Sequence, residues 1–281
     1  MLDLPELKST LKKYGITPKK FLGQNFLVDR DVVEDIITVC GFKNLDWVME
    51  IGAGLGALTR RLAREVKNVI AIEKDRGVCL ALNDILKGFG NVRTVCDDFL
   101  ELDLGSVLVE GPSKVKAIGN LPYYITTPII ERLIENRNNF ETVFVMVQKE
   151  VAERICAGPG GKDYGSLSVY AQFYSRPRIL LEINRHSFYP QPEVDSSFLE
   201  LDLLPRPSVK VNDESRFFAV VKAGFGQRRK TLLNSLLSSE AIDLDKPALS
   251  ALLMSLGIDP GIRAERLSLP QFAAISDAIW P

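Results

Sequence analysis

The feature that most constrains this chain is a regular alternation of apolar and amphipathic segments between residues 47 and 148. Strands are predicted at "WVMEIG" (47–52), "VIAIEK" (69–74), "VRTVCDDF" (92–99), "VKAIGN" (115–120) and "TVFVMVQ" (142–148), and helices at "ALTRRLAREV" (57–66) and "RGVCLALNDILKG" (76–88). This alternation favours an α/β fold with a mostly parallel sheet and helices on both faces. Residues 176–183 and 196–204 have no convincing helix between them, which predicts an antiparallel pair of strands that completes a seven-stranded sheet.

Outside this core, the sequence predicts one helix before it and a second domain after it. "DRDVVEDIITVCG" (29–41) begins with aspartates and ends with glycine, as a capped helix does. "LPRPSVKVND" (204–213) carries two prolines and few apolar residues, which is typical of a domain boundary. We therefore predict a first domain over residues 1–205 and a small helical domain over residues 211–281.

Composition excludes several classes of protein. The chain has 281 residues, 46 % hydrophobic and 25 % charged, which is ordinary globular usage, and its longest apolar runs are too short to cross a bilayer. The N-terminus lacks the apolar core of a secretion signal. Four scattered cysteines without a C-x-x-C motif, and a single histidine, argue against a metal site. We expect reduced cysteines and a cytoplasmic location.

Positive charge is concentrated in two segments, although the net charge is only −1. Residues 215–239 contain five basic residues and no acidic one, and residues 11–30 contain five basic residues against one aspartate. Such segments indicate a local anionic partner, although each could also be an ordinary solvated helix face. The candidate contacts to nucleic acid phosphate are Lys19, Lys20, Lys222, Arg228, Arg229 and Lys230.

The glycine-rich segment "EIGAGLGA" (50–57) predicts a loop that brings backbone close to a ligand. Gly52, Gly54 and Gly56 lie between a predicted strand and a predicted helix, a context typical of nucleotide-type ligands. Ala57 also permits a dinucleotide fingerprint. Glu50 favours another ligand, because a carboxylate there attracts a cation and repels a pyrophosphate. S-adenosylmethionine fits, since it carries a sulfonium and an ammonium and no phosphate.

Acidic residues follow the next two predicted strands. Glu73 lies 23 residues after Glu50, a suitable place to hold ribose hydroxyls. Asp98 could accept a hydrogen bond from the amine of the cofactor adenine, and Asp97 competes for that role. Together with the glycine loop, these residues predict one site at the carboxyl edge of the sheet.

The uncharged segment "IGNLPYY" (118–124) follows the fourth predicted strand and reaches the same edge. An adenine 6-amino group is a weak nucleophile, and two acceptors for its hydrogens would activate and aim it; the Asn120 side-chain oxygen and the Leu121 carbonyl are predicted to do so. Pro122 fixes the backbone and has no N–H to compete. Tyr123 offers a ring on which the base can stack, and Tyr124 is expected to pack beneath.

These motifs together resemble the rRNA adenine dimethyltransferases. The resemblance rests on "FLGQNFL" (21–27), "EIGAGLG" (50–56), "GNLPYY" (119–124) and "FYPQPEVDSS" (188–197). Residues 147–174 and "FGQRRKTLLNSL" (225–236) are more similar to the bacterial small-subunit enzymes than to the macrolide-resistance enzymes that act on large-subunit rRNA. The resemblance implies a class I, Rossmann-like methyltransferase sheet with a small all-helical C-terminal domain.

The implied function is dimethylation of two adjacent adenosines in the terminal hairpin of small-subunit (16S) rRNA by a cytoplasmic monomer that uses S-adenosylmethionine. The resemblance implies that Gln24, Asn25, Leu27 and Asn120, with Glu50, Gly52, Glu73 and Asp98, line the cofactor pocket. It also implies that Phe188 clamps the target base opposite Tyr123. Two alternatives stay open: a resistance-type enzyme acting on large-subunit rRNA, and a non-catalytic ribosome-assembly factor on the same fold.

Overall fold

A seven-stranded sheet forms the centre of the fold in the computed structural model, which describes residues 3–18, 23–227 and 229–281. Its strands are β2 (Trp47–Ile51), β3 (Asn68–Ile72), β4 (Val92–Val95), β5 (Val115–Asn120), β6 (Phe140–Gln148), β7 (Ser175–Ile183) and β9 (Ser196–Leu203). The order across the sheet is β4-β3-β2-β5-β6-β9-β7. Strands β2 to β6 pair in parallel and β9 pairs antiparallel with β6. The predicted sheet with an antiparallel edge is confirmed.

The order of the strands places a switch point between β2 and β5, where ligands bind in open α/β sheets. The two strands approach closely at Gly119, where an added Cβ would lie 2.7 Å from the Ile51 carbonyl oxygen. Only glycine fits this position, so the glycine loop after β2 and Asn120 after Gly119 are held side by side.

The predicted helices are present, although α3 is much shorter than predicted and α4 ends three residues early, at Ile85. The helices are α1 (Leu4–Lys13), α2 (Arg30–Cys40), α3 (Thr59–Leu62), α4 (Arg76–Ile85), α5 (Leu104–Leu108), α6 (Thr126–Glu135), α7 (Lys149–Cys156) and α8 (Ser166–Tyr174), followed by α9 (Glu214–Phe225), α10 (Leu232–Leu237), α11 (Lys246–Ser255) and α12 (Leu269–Ile279). Asp29 caps α2 and Gly41 ends it at φ 57°, as predicted.

The helix predicted over 57–66 is shorter than expected, because α3 covers only Thr59–Leu62. Single i→i+4 bonds continue on both sides, from Arg60 N to Gly56 O (3.2 Å) and from Val66 N to Leu62 O (3.0 Å). Three glycines with positive φ precede it, and they keep the chain in turns where the sequence suggested a helix.

Two N-terminal elements were not predicted. Helix α1 begins with a capping box in which Asp3 and Glu6 bond each other's backbone N–H groups, and it buries Leu7 and Leu11. Strand β1 (Phe26–Leu27) pairs antiparallel with β8 (Phe188–Tyr189) outside the main sheet. This small ladder fixes the segment that follows the predicted "GQN" motif.

Contacts divide the chain into two compact units. The first contains the described residues up to Ala152 together with Arg178–Leu203, and the second contains Glu153–Pro177 with the described residues of Leu204–Pro281. The second unit has helices and no strand between Leu204 and Pro281 in the described residues. Its extent differs from the predicted 211–281, because Phe173 on α8 stacks on Phe217 of α9 at 4.6 Å between ring centroids.

Two cysteines depart from the expected reduced state. Cys79 on α4 and Cys96 after β4 form a disulfide, with Cα atoms 5.9 Å apart, a normal separation for such a bond. Cys40 and Cys156 form no disulfide within the described residues. This pairing could not be predicted, because the two residues are 17 positions apart and meet only through the packing of α4 beside β4.

No helix in the described part of the chain is both long enough and apolar enough to cross a membrane.

Candidate active site

A cavity lies at the carboxyl ends of β2, β3 and β5, where the sequence analysis placed a site. Its lining includes all nine predicted cofactor residues: Gln24, Asn25, Leu27, Glu50, Gly52, Gly54, Glu73, Asp98 and Asn120. Asp97 and Pro122 also line it. Within the described residues, no group of three His, Cys, Asp or Glu side chains is arranged to hold a metal ion.

Glu50 is a buried carboxyl at the end of β2 with no cationic partner in the described part of the chain. Its side chain is 2 % exposed and accepts a hydrogen bond from the Thr59 hydroxyl at 2.5 Å. Burial, together with nearby Glu73, raises the pKa of Glu50 to about 8 against the opposing effect of the Thr59 hydrogen bond. A carboxyl in this state gains most from a cationic ligand.

Glu73 directly follows β3 and is held by backbone donors. It accepts hydrogen bonds from the Gly54 N–H (2.9 Å) and the Asp75 N–H (2.8 Å). Burial raises its pKa, although these N–H groups favour the charged form. The bond to Gly54 ties the glycine loop to β3, and Gly54 adopts φ 56° with the Phe26 ring 3.3 Å from where a Cβ would stand. A larger residue there would be strained and crowded.

Asp98 lies beyond β4 and forms an ion pair with Lys74. Burial alone would raise its pKa, but the Lys74 ammonium and the Leu100 N–H together lower it. Asp97 is exposed and accepts a hydrogen bond from the Asp98 N–H at 2.8 Å. Both carboxylates line the cavity, so either could hold an adenine amine.

The N-terminal segment covers the cavity from the other side. Gln24 donates to Asp75 at 3.5 Å, and Leu27 is 4 % exposed beside the cavity. Gly23 lies against the "NLPY" segment, since its Cβ position is 3.2 Å from Pro122 Cα and from the Tyr123 nitrogen. Leu7 of α1 completes the lining. Sequence reasoning missed Leu7, although the Asp3-x-x-Glu6 capping box and the Leu4/Leu7/Leu11 spacing were present as signals.

Asn120 connects the two sides of the cavity. Its Nδ2 donates to the Asn25 carbonyl at 2.9 Å. This bond assigns the nitrogen of the amide to Asn25, so Oδ1 is the atom left to accept a hydrogen bond from a ligand. The turn after it is built by Pro122 at φ −59°, whose carbonyl accepts from the Ile125 N–H and the Thr126 hydroxyl. The hydrogen bonds of this turn therefore end on the Pro122 carbonyl and not on the Leu121 carbonyl.

Comparison with known proteins identifies the family to which this geometry belongs. A family model described as ribosomal RNA adenine dimethylase matches residues 16–279. The chain belongs to the ribosomal RNA adenine dimethylase family. It is an enzyme of that family, and the resemblance inferred from the motifs is confirmed.

Relatives named "Ribosomal RNA small subunit methyltransferase A" match nearly the whole chain. The protein from Pelotomaculum thermopropionicum is 45 % identical over 97 % of this chain and 95 % of its own length. The one from Geobacillus thermodenitrificans is 43 % identical over 98 % of this chain and 95 % of its own length.

Two solved structures are similar in fold. The 23S rRNA methyltransferase ErmE superposes with a TM-score of 0.70 at 24 % identity, covering 91 % of this chain and 99 % of its own. A dimethyladenosine transferase from Plasmodium falciparum gives a TM-score of 0.69 at 25 % identity, covering 88 % of this chain and 94 % of its own. The Rossmann-like fold class is confirmed.

The two tyrosines of this family member differ from expectation in their surroundings. Tyr124 does not pack beneath its neighbour: it is 51 % exposed and lines the cavity. Tyr123 is half-buried in a 3₁₀ turn (Tyr123–Ile125), and its hydroxyl shares a hydrogen bond with Ser196 at 2.8 Å. The sequence could not predict this pairing, because Ser196 lies 73 residues away and shows its role only through the packing of β9 beside β6.

Phe188 lies in the core and not in the cavity lining. It is 3 % exposed, pairs with Leu27 across β1 and β8, and packs in the same hydrophobic cluster as Val33, Ile36 and Phe198. Its predicted role as a clamp on the target base stays a prediction.

The predicted RNA-contacting residues are only partly described. Lys222 is exposed in the last turn of α9, and Arg229 and Lys230 are exposed in the turn that follows. Lys19, Lys20 and Arg228 lie outside the described residues.

Proposed function

We propose that this protein transfers methyl groups to the 6-amino groups of two adjacent adenosines in the 3′-terminal hairpin of small-subunit (16S) rRNA during ribosome biogenesis. The observation that carries the proposal is the Asn120 amide at the edge of the cavity, with its nitrogen bound to the Asn25 carbonyl and its oxygen free to accept. The relatives named as small-subunit methyltransferases over nearly the whole chain favour this substrate.

Two buried carboxyl groups make the cavity suitable for S-adenosylmethionine. Glu50 and Glu73 are buried and have no ion-pair partner among the described residues, which suits a ligand with a sulfonium and an ammonium and no phosphate. When bound, this cofactor supplies an electrophilic methyl group. Glu50, Glu73 and the loop at Gly52 and Gly54 would hold it, with Asp98 or Asp97 at its adenine.

The residues after β5 would activate the target amine. An adenine 6-amino group has a delocalised lone pair and two hydrogens. Asn120 Oδ1 and the Leu121 carbonyl would each accept one hydrogen, which draws electron density to the nitrogen and aims it. Pro122 holds the backbone rigid and adds no competing N–H. No general base is needed, so alignment supplies most of the rate.

Aromatic and basic residues would capture the RNA. Tyr123 provides the stacking surface for a base removed from its helix, and the resemblance adds Phe188 as a second surface. Lys222, Arg229 and Lys230 of the second unit, with Lys19, Lys20 and Arg228, would contact phosphates without reading bases. We propose a cytoplasmic monomer that acts on the small ribosomal subunit.

Nucleoside analysis after methylation of isolated subunits tests the proposal. The protein is incubated with methyl-labelled cofactor and with large or small ribosomal subunits that lack these methyl groups. Dimethyladenosine at two adjacent positions in small-subunit RNA supports the proposal. Label confined to large-subunit RNA would favour the resistance-type alternative, and no transfer to either, with RNA binding retained, would favour a non-catalytic assembly factor.

A further inference from the structure

We propose that Ser196 is a positioning residue for methyl transfer, which holds the ring of Tyr123 in place through the hydrogen bond between their hydroxyl groups. The inference rests on the proposed stacking role of Tyr123 and deepens it. It assigns a function to "FYPQPEVDSS" (188–197) that is independent of Phe188.

The hydrogen bond joins a turn at the edge of the cavity to the central sheet. Tyr123 Oη and Ser196 Oγ are 2.8 Å apart, and Ser196 is fully buried. Ser196 is the first residue of β9 and pairs with Gln148 of β6. Tyr123 lies in a turn directly after Pro122, whereas Ser196 lies in the sheet. The hydrogen bond therefore anchors the side chain of Tyr123 to the more rigid Ser196.

The residue before Ser196 is fixed from two directions. The Asp195 carboxylate accepts from the Arg185 N–H at 3.1 Å, and its carbonyl accepts from the Lys149 N–H at 3.1 Å. Arg185 Nη1 also donates to the Glu193 carbonyl at 2.6 Å. These hydrogen bonds hold the loop that leads into β9, so the position of the Ser196 hydroxyl is fixed.

A stacking residue works through the orientation of its ring. The Tyr123 side chain turns about two bonds, and Oη lies on the axis of the second. The hydrogen bond at Oη therefore fixes the direction in which the ring extends, which the first bond sets, and leaves rotation of the ring about its own axis to its packing neighbours. Burial raises the pKa of Tyr123, while the bond to Ser196 opposes this shift, so the hydroxyl stays protonated at working pH. Loss of the Ser196 hydroxyl leaves the stacking surface present but free to swing about the first side-chain bond, which should slow transfer more than it weakens RNA binding.

The adjacent Ser197 offers a matched control. It is also fully buried and pairs with Val147 in the same ladder, but its side chain points to the other face of the sheet. Its hydroxyl has no hydrogen-bond partner in the described part of the chain. Ser196→Ala and Ser197→Ala thus remove the same atom from equally buried positions, and only the first removes a contact with Tyr123.

The experiment is single-turnover methylation of the small subunit by Ser196→Ala, Tyr123→Phe, the double variant and Ser197→Ala, with unfolding midpoints and RNA affinity measured in parallel. Ser196→Ala and Tyr123→Phe should each slow transfer about 2- to 10-fold, as expected for one neutral hydrogen bond, and the double variant should be no slower than either. Ser197→Ala should keep the wild-type rate. Equal rates for Ser196→Ala and Ser197→Ala, or multiplicative losses in the double variant, would overturn the inference.

Tyr123→Ala separates failure of this inference from failure of the proposed role of Tyr123. A slow Tyr123→Ala enzyme beside a wild-type rate for Ser196→Ala would overturn only the positioning role of Ser196. A wild-type rate for Tyr123→Ala would overturn the stacking role and the inference with it, while dimethyladenosine formation would still support the proposed reaction.

Discussion

At the scale of single residues, the chemistry of the cavity is set by acidic groups that have been removed from water. Glu50 is buried to 2 % exposure beside Glu73, and its pKa is raised to about 8 by burial. The proposed ligand is a cation, so its arrival converts an unfavourable environment for the carboxylate into a favourable one. The protonation of Glu50, the affinity for the cofactor and the stability of the fold therefore depend on one another.

The raised pKa of Glu50 predicts that stability falls with rising pH. Between about 4.5, the ordinary value, and about 8, the folded protein binds a proton that the unfolded chain has lost, so the free energy of unfolding decreases as pH increases. One such group accounts for at most roughly 1.4 kcal/mol per pH unit. Urea unfolding at pH 5.5 and pH 8 should show a smaller decrease in Glu50→Gln than in the wild type.

The exposed carboxyl of Glu141 on β6 is the control for this measurement, and Glu141→Gln should behave as the wild type. The same shift predicts that affinity for S-adenosylmethionine rises with pH up to about 8 and that binding at neutral pH releases a proton. Calorimetry in buffers of different ionisation enthalpy measures that release. Identical slopes for the wild type and Glu50→Gln would contradict the assignment.

At this scale, the sequence predicted which residues line one site, whereas the hydrogen-bond partners that hold those residues are seen only in the structure. Glu50, Glu73, Asp98 and Asn120 could be placed together because parallel strands end at one edge. The partners could not be predicted: the Asn25 carbonyl on Asn120 and the Ser196 hydroxyl on Tyr123 arise from long-range packing. Tyr124 was predicted to pack beneath Tyr123 and is exposed instead. Two adjacent tyrosines cannot be distinguished by sequence, because the geometry of the turn decides which ring is buried.

At the scale of elements, helix α1 connects the N-terminus to the cavity. Leu7 and Leu11 are buried with Phe26, Leu55 and Val78, whereas Leu4 is 37 % exposed. Leu7→Ala should therefore cost about 2–5 kcal/mol of unfolding free energy and also weaken cofactor binding, since Leu7 lines the cavity. Leu4→Ala should cost much less and leave affinity unchanged. Equal effects of the two changes, measured by urea unfolding and calorimetry, would remove α1 from the site.

The β1–β8 ladder offers a test of the two roles of Phe188. Its burial predicts that Phe188→Ala destabilises the protein by about 3–5 kcal/mol, whereas Phe188→Leu stays within roughly 1.5 kcal/mol of the wild type. If the ring also clamps the target base, Phe188→Leu should slow single-turnover methylation while remaining folded. A wild-type rate for Phe188→Leu would leave only the packing role.

The existence of the strands was easier to predict than their ends. Strand β4, for example, covers only Val92–Val95 of the predicted 92–99. Strand β5 matched its predicted range, Val115–Asn120, because Val115, Ala117 and Ile118 are buried and only Lys116 interrupts the apolar segment before Gly119. Helix α3 was overestimated because glycines with positive φ set the preceding turn. Two-residue strands such as β1 carry too few residues for a pattern, so the pairing of Phe26 with Tyr189 could be seen only in the structure.

At the scale of the whole molecule, the two units would divide the work between chemistry and RNA capture. Each described unit has its own core, and the second presents exposed cations after α9. The sequence predicted a boundary near residues 204–213 from its prolines, but residues 153–177 belong to the second unit through contacts such as Phe173 on Phe217. No local sequence pattern predicts that residues 153–177 pack with a unit that begins about 30 residues later in the chain.

The basic segment predicts the salt dependence of RNA binding. Arg229→Ala/Lys230→Ala should weaken binding to all sequences and reduce the slope of log K against log salt by about 0.7–0.9 for each lost phosphate contact. Lys210→Ala/Lys246→Ala, at exposed positions of the same unit, should leave the slope unchanged. Equal slopes for the two double variants would make the segment an ordinary solvated face.

The central claim is that the Asn120 amide acts on the target nitrogen in the transition state, and single-turnover methylation of the small subunit by Asn120→Ala tests it most directly. Transfer should slow by about 100- to 1,000-fold, or roughly 2.7–4 kcal/mol, by analogy with loss of an oxyanion-hole donor, while cofactor and RNA affinities measured in parallel change little. Asn136→Ala is the control, since Asn136 is a half-buried amide that donates to the Arg132 carbonyl at 2.8 Å outside the cavity lining. An Asn120→Ala enzyme that methylates as fast as Asn136→Ala would contradict the account.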